Sequence, residues 1–168
     1  MKRILFICTA LFVCILASAQ DFSYLKAIDV EDEEHSTEAA EAAMECCCYL
    51  TGVRYNKKDS QRQNASSFVK KWLEANHSDN YLIDELIEKD TEVGDIYIAY
   101  FALNYLNHDQ QGDLNELQLD ALKNVVEYCV NTANKIKMTK ELKEVEKHIQ
   151  AGQLDDFMAN LRLTTQVE

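Results

Sequence analysis

Cysteine offers the most varied chemistry in this sequence, and three of its cysteines are consecutive. Cys46, Cys47 and Cys48 form one run, and Cys129 stands far downstream. Cysteines that bind a metal usually stand two to four residues apart, so that their thiolates converge on one ion. The consecutive run lacks that spacing, and we expect no metal site.

A disulfide is a second use of these thiols. Neighbouring residues of a helix point about 100° apart, so the three consecutive cysteines cannot all meet one partner. At most one bridge is compatible with this geometry, from Cys129 to Cys46 or Cys47. The alternative is that Cys46 and Cys47 are small residues of the core, and we favour this interpretation.

No other group of residues matches a catalytic motif. The four histidines are scattered, and none belongs to a His-Glu-x-x-His zinc motif. The sequence contains neither a glycine-rich phosphate loop nor a Gly-x-Ser-x-Gly nucleophile elbow. We therefore expect a protein that is not an enzyme and that carries no cofactor.

One aromatic cluster is a candidate ligand or partner face. Tyr97, Tyr100, Phe101 and Asn104 fall within one arc of a helix predicted over 92–107. Tyrosine hydroxyls beside an asparagine could line a pocket or an interface. Core packing with the hydroxyls at its rim is the alternative, and it is the commoner arrangement.

The N-terminal residues have the three-part plan of a cleavable secretory signal. Lys2 and Arg3 precede an uncharged run over 4–16, and Ala17-Ser18-Ala19 supplies the small residues that a signal peptidase reads. A membrane-spanning helix needs roughly 20 apolar residues, so this run is too short. We expect cleavage before Gln20, and a protein that is secreted or located in the periplasm of a bacterial envelope.

Charge narrows the range of partners. Loss of Lys2 and Arg3 with the signal takes the net charge from −12 to −14. Such a surface repels phosphate backbones and anionic lipids, so nucleic-acid binding is disfavoured. No second hydrophobic run of spanning length follows, and we expect no membrane insertion after cleavage. A basic protein partner is favoured by electrostatics.

Hydrophobic periodicity predicts an all-α fold. There is no proline and there are only four glycines, and no stretch alternates strictly between apolar and polar residues. We expect a compact helical bundle or a short stack of helix pairs, with about five to six helices.

The predicted segments are an acidic, partly ordered lead-in over 20–36, a single helical domain over 37–163 and a flexible tail over 164–168. Residues 81–89 fit either a helix or a short extended piece.

Local signals fix several helix ends. Thr91, Asp113 and Thr139 precede periodic runs as N-caps, whereas Gly52 and Gly152 follow such runs as terminators. In the first helix, three acids share one face and small residues lie opposite. These acids are Glu38, Glu41 and Glu45.

Three stretches of packing residues resemble small secreted proteins of Bacteroidetes-type bacteria whose function is uncharacterised. The stretches are Arg62-x-x-Ala65-x-x-Phe68-x-x-Lys71-Trp72-Leu73, Ile98-Ala99-Tyr100-Phe101-Ala102 and Glu146-Lys147-x-x-Gln150-x-Gly152-x-Leu154-x-x-Phe157. This resemblance implies an α-helical fold and an envelope location, and it supplies no catalytic residue.

A shorter stretch, Cys48-Tyr49-Leu50-Thr51-Gly52-Val53, is similar to a segment of Rap1a/Tai-type periplasmic immunity proteins, which are small and helical and neutralise toxins.

The first functional hypothesis is a non-enzymatic periplasmic or secreted binding module with a protein partner. The alternative is an inhibitor or immunity-type protein that neutralises a basic toxin or enzyme. An enzyme is the third and weakest reading.

Overall fold

The computed structural model describes residues 21–32, 36–76, 83, 86–89 and 91–165, with side chains described as far as Leu161. The predicted signal peptide over 1–19 lies outside the described residues, and so do residues 81, 82, 84 and 85 of the stretch 81–89. The described residues confirm the all-α prediction, since they form helices and turns without a strand. The helices number seven within them, one above the predicted range.

One 3-10 helix, Phe22–Ala27, precedes six α-helices in the described chain. The last of them extends two residues into the predicted tail. The six are α1 (Ser36–Gly52), α2 (Ser60–Asn76), α3 (Glu92–Asn107), α4 (Leu114–Val130), α5 (Lys140–Ala151) and α6 (Leu154–Thr165).

The chain divides into two compact units, of which the first ends at Ser78 and the second begins at Asp79. A single domain over 37–163 therefore stays a prediction.

In the first unit, α1 packs against α2. The buried side of α1 is rich in small residues, which allow a neighbouring helix to approach closely. Trp72 and Leu73 of α2 are almost completely buried. The buried residues of α1 are Ala39, Ala42, Ala43, Cys46, Cys47, Tyr49 and Leu50.

The 3-10 helix is an ordered part of the first unit, although its sequence lies in the acidic lead-in. The Asp21 side chain accepts a hydrogen bond from the Ser23 N–H and caps the helix. Phe22 is fully buried and meets the Tyr49 ring edge-on, with ring centroids 5.1 Å apart. The Phe22 N–H donates to Gln61 Oε1 at 2.7 Å. These contacts fix the segment against α1 and α2.

In the second unit, α3 packs against α4, α4 packs against α5, and α5 packs against α6. The N-terminal end of α3 passes very close to the preceding loop at Gly94. A Cβ atom there would lie 2.2 Å from the Glu88 carbonyl oxygen and 2.7 Å from that of Lys89. Only glycine allows this approach.

Most of the predicted helix ends are confirmed. Thr91, Asp113 and Thr139 are N-caps whose side chains accept hydrogen bonds of 2.8–3.2 Å from backbone N–H groups. Gly152 ends α5 in the left-handed conformation, with φ 67°. Gly52 is the last residue of α1, but it does not adopt a positive φ, so its conformational freedom is not used in this way.

Candidate functional site

The four residues of the predicted aromatic face do not share an exposed surface. Tyr97 and Phe101 are fully buried, with stacked rings 6.3 Å apart. Tyr100 and Asn104 are half-buried, and the Tyr100 ring packs edge-on against Tyr128 at 6.3 Å. Tyr97 and Phe101 therefore contribute to packing, and only Tyr100 and Asn104 reach the boundary with solvent.

All four cysteines in the described part of the chain are free thiols. Cys46, Cys47 and Cys129 are buried, whereas Cys48 is exposed. Burial, followed by the charge of Glu45, raises the pKa of Cys46 to about 12, and burial raises that of Cys129 to about 11. Because the thiolate is the reactive form, these buried thiols are poor nucleophiles. The bridge from Cys129 to Cys46 or Cys47 is not formed here and stays a prediction.

A candidate site among the described residues is a groove in the first unit, beside the 3-10 helix and along α1. It encloses about 340 Å³, which is near the lower end of the range for small-ligand pockets, about 300–1,000 Å³. We call it the acidic groove. It is lined by Tyr24, Ile28, Glu38, Glu41, Ala42 and Glu45.

Helical spacing brings the three glutamates of the groove together. Glu38, Glu41 and Glu45 stand three and four residues apart, which places them on one face of α1. Ala42 also lines the groove and is almost fully buried, at 5% exposure. The shared acidic face of α1 was predicted from sequence. The apolar wall on the other side of the groove, which does not belong to α1, was not predicted.

Tyr24 and Ile28 supply that second wall. Tyr24 is 42% exposed, and Val130 is the other exposed large hydrophobic residue among those that the structure describes. The Tyr24 hydroxyl donates a hydrogen bond of 2.5 Å to Glu45 Oε2. Desolvation, followed by this hydrogen bond and the charge of Glu45, raises the pKa of the Tyr24 phenol well above its usual value. The phenol is thus held neutral, as a donor.

The other two glutamates are available to a ligand. Glu38 and Glu41 are exposed, and neither has a hydrogen bond or an ion pair with any other described residue. Across the described chain, no three His, Cys, Asp or Glu side chains are grouped closely enough to hold a metal ion. The groove therefore combines an apolar wall with unpaired negative charge, an arrangement suited to binding an organic cation.

A network at the far end of α1 holds the helix that carries the groove. Arg62 is 4% exposed, and its Nη2 donates to the Leu50 carbonyl at 2.8 Å. Its guanidinium carbon lies 4.7 Å from the Tyr55 ring centroid. A positive charge at the C-terminal end of a helix is favoured by the helix dipole. Arg62 thus caps α1 from the first turn of α2.

A second bond ties α1 to the start of α2. The Tyr49 hydroxyl donates to Asp59 Oδ2 at 2.5 Å. Asp59 Oδ1 also accepts from the Gln61 N–H at 3.0 Å, which caps α2. Because Gln61 in turn holds Phe22, one chain of contacts runs from the α1–α2 connection to the 3-10 helix.

No known protein family, curated protein or solved structure matches this chain. Among the described helices, none combines the length and the apolar character needed to cross a membrane.

Proposed function

We propose that this protein is a non-enzymatic interaction module of the periplasm or the cell surface, and that it binds a protein partner at the acidic groove. The observation that carries the proposal is the groove itself. It combines the partly exposed Tyr24 with two carboxylates on one face of α1 that no other described residue binds. Exposed apolar surface rimmed by charge is typical of interaction sites.

The overall charge supports a basic partner. Export with loss of Lys2 and Arg3 would leave a net charge of −14. The electric field of this net charge accelerates association with a positively charged partner and makes the association rate sensitive to salt. Complementary charge also disfavours wrong partners, since acidic surfaces are repelled.

Affinity capture with matched variants tests this function. The bait is the exported protein, and the groove variant is Glu38→Gln with Glu41→Gln. The control, Glu127→Gln with Glu141→Gln, removes the same charge from exposed positions on α4 and α5. We expect one envelope protein to bind the wild type and the control, and to be lost with the groove variant. Recovery of no partner, or equal recovery with both variants, would refute the proposal.

A second candidate is an inhibitor or immunity protein whose basic partner is a toxin or an enzyme. The acidity of the groove favours it, because positively charged surfaces of such a partner would fit there. Deletion of the gene should then sensitise cells to toxin-producing neighbours. The wild type should restore resistance, and the groove variant should not. Unchanged sensitivity after deletion would exclude this role.

A further inference from the structure

We propose that the acidic groove recognises an arginine side chain on a basic segment of the partner, with the guanidinium between the Tyr24 ring and the carboxylates of Glu38 and Glu41. This inference rests on the proposed function and names the chemistry of the group that is bound. It is carried by the composition of the groove, since each part of an arginine side chain meets a matching surface.

Tyr24 provides a stacking surface. Tyr24 is 42% exposed and lines the groove. Its hydroxyl is fixed by the bond to Glu45, so the ring is already oriented before a ligand arrives. Cations bind over aromatic faces, and the planar guanidinium does so more often than the lysine ammonium. A preoriented ring also lowers the entropy cost of binding.

Glu38 and Glu41 provide the charge. They stand three residues apart on α1, a spacing that places neighbouring Cβ atoms about 5–6 Å apart. Two carboxylates at this separation can accept hydrogen bonds from different edges of one guanidinium. Neither has a hydrogen bond or an ion pair with another described residue, so a ligand competes with none of those residues for the two carboxylates.

Ile28 and Ala42 provide an apolar surface for the stem of the side chain. Ile28 is half-buried and Ala42 is almost fully buried, and both line the groove. The three methylenes of arginine can lie along such a surface while the charged group stays near solvent. A volume of about 340 Å³ suits one long side chain better than a large ligand.

Peptide titration of the chain from Gln20 to Glu168 tests this assignment. The probe is the blocked peptide Gly-Gly-Arg-Gly-Gly, monitored by NMR shifts of the backbone amides. Two further peptides replace arginine with lysine or with citrulline, which is the neutral isostere. We expect saturable shifts confined to the groove residues. Binding of the lysine peptide should be several-fold weaker, and that of the citrulline peptide at least about tenfold weaker, because the charge-assisted bonds are lost.

Protein variants identify the contacts. Glu38→Gln with Glu41→Gln should lower the affinity for the arginine peptide at least about tenfold. The control, Glu127→Gln with Glu141→Gln, should change that affinity less than about twofold. Tyr24→Phe keeps the ring and should retain most of the binding, but Tyr24→Ala should not.

Three results would overturn the proposal: shifts spread over acidic helices in both units, equal binding of the citrulline peptide, or equal effects of the two double variants. An absence of peptide binding while affinity capture still depends on Glu38 and Glu41 would refute arginine recognition alone. The interaction function would then stand. Localised peptide binding without any captured partner would refute the function instead.

Discussion

The Tyr24 hydroxyl and the Glu45 carboxylate are joined across 21 positions of sequence by a hydrogen bond of 2.5 Å. This bond connects the 3-10 helix to α1 and closes one wall of the acidic groove. A phenol that donates to a carboxylate is fixed more strongly than one that donates to a neutral acceptor. The position of the Tyr24 ring therefore depends on Glu45.

A double-mutant cycle tests that coupling. Tyr24→Phe should lower the free energy of unfolding by about 0.5–1 kcal/mol, since the bond is exposed and water competes with it. Glu45→Gln should have a similar effect. The double variant should lower the free energy of unfolding by less than the sum of the two single effects. Urea unfolding measures all three. Strict additivity would mean that the two side chains do not interact in solution.

Stability should fall at alkaline pH through Tyr49. Burial, followed by the hydrogen bond to Asp59 and its charge, raises the pKa of Tyr49 to about 12 in the folded protein, from about 10 in an unfolded chain. A raised pKa means that folding favours the protonated phenol. Its contribution is complete below about pH 10 and is lost as the pH rises towards about 12.

The Tyr49→Phe variant isolates this contribution. It should be less stable than the wild type at neutral pH, and the difference should shrink between about pH 10 and 12. Thermal unfolding measured across that range provides the comparison. A constant difference at every pH would show that Tyr49 does not donate to Asp59.

Two loop positions share a preference for glycine, but only one of them has it. Asp109 follows α3 with φ 50°, and Gly152 follows α5 with φ 67°. A side chain in this left-handed region costs about 1–2 kcal/mol, less for aspartate than for most residues. Asp109→Gly should stabilise the protein by up to about 1 kcal/mol, and Gly152→Ala should destabilise it by about 1 kcal/mol. Equal signs for the two changes, measured by urea unfolding, would contradict this assignment.

Thiol counting tests the state of the cysteines. In the native protein Cys48 should react with a thiol reagent before Cys46, Cys47 and Cys129, because it is exposed and they are buried. Its reaction should still be slower than that of a free thiol, because partial burial and the charge of Glu45 raise its pKa. Without reductant, unfolding should release all four thiols of the chain that follows the predicted signal. A count of two after unfolding would contradict the free thiols and would show one disulfide, which peptide mapping would then assign to Cys129 with Cys46 or Cys47 or to another pair.

Sequence predicted the helical elements well because their signals are local. The caps at Thr91, Asp113 and Thr139 depend on residues within one turn, and all three are present. The acidic face of α1 follows from helical period alone, so half of the groove was foreseeable.

The other half could not be foreseen because it depends on a distant contact. Tyr24 and Ile28 reach the groove because Phe22 is anchored to Gln61, 39 residues away. The acid-rich lead-in gives little sign of this beyond the spacing of Phe22 and Leu25, both of which are buried.

The aromatic cluster on α3 illustrates a different difficulty. That helix is apolar on nearly every side, so its periodicity does not say which side faces solvent. Tyr97 and Phe101 are buried whereas Tyr100 is only half-buried, even though all three lie in one arc. Which of these side chains is buried depends on the helices that pack against α3. The sequence pattern of α3 alone carries no information about those neighbouring helices.

The most direct test of the acidic groove as the partner site is photo-crosslinking in cells that produce the protein. A benzophenone amino acid replaces Ile28 in the groove or, as a control, Val130, which is 51% exposed on α4. We predict one crosslinked partner from position 28, none from position 130, and loss of the product with Glu38→Gln and Glu41→Gln. The same product from position 130, or one that persists in the groove variant, would contradict binding at the groove.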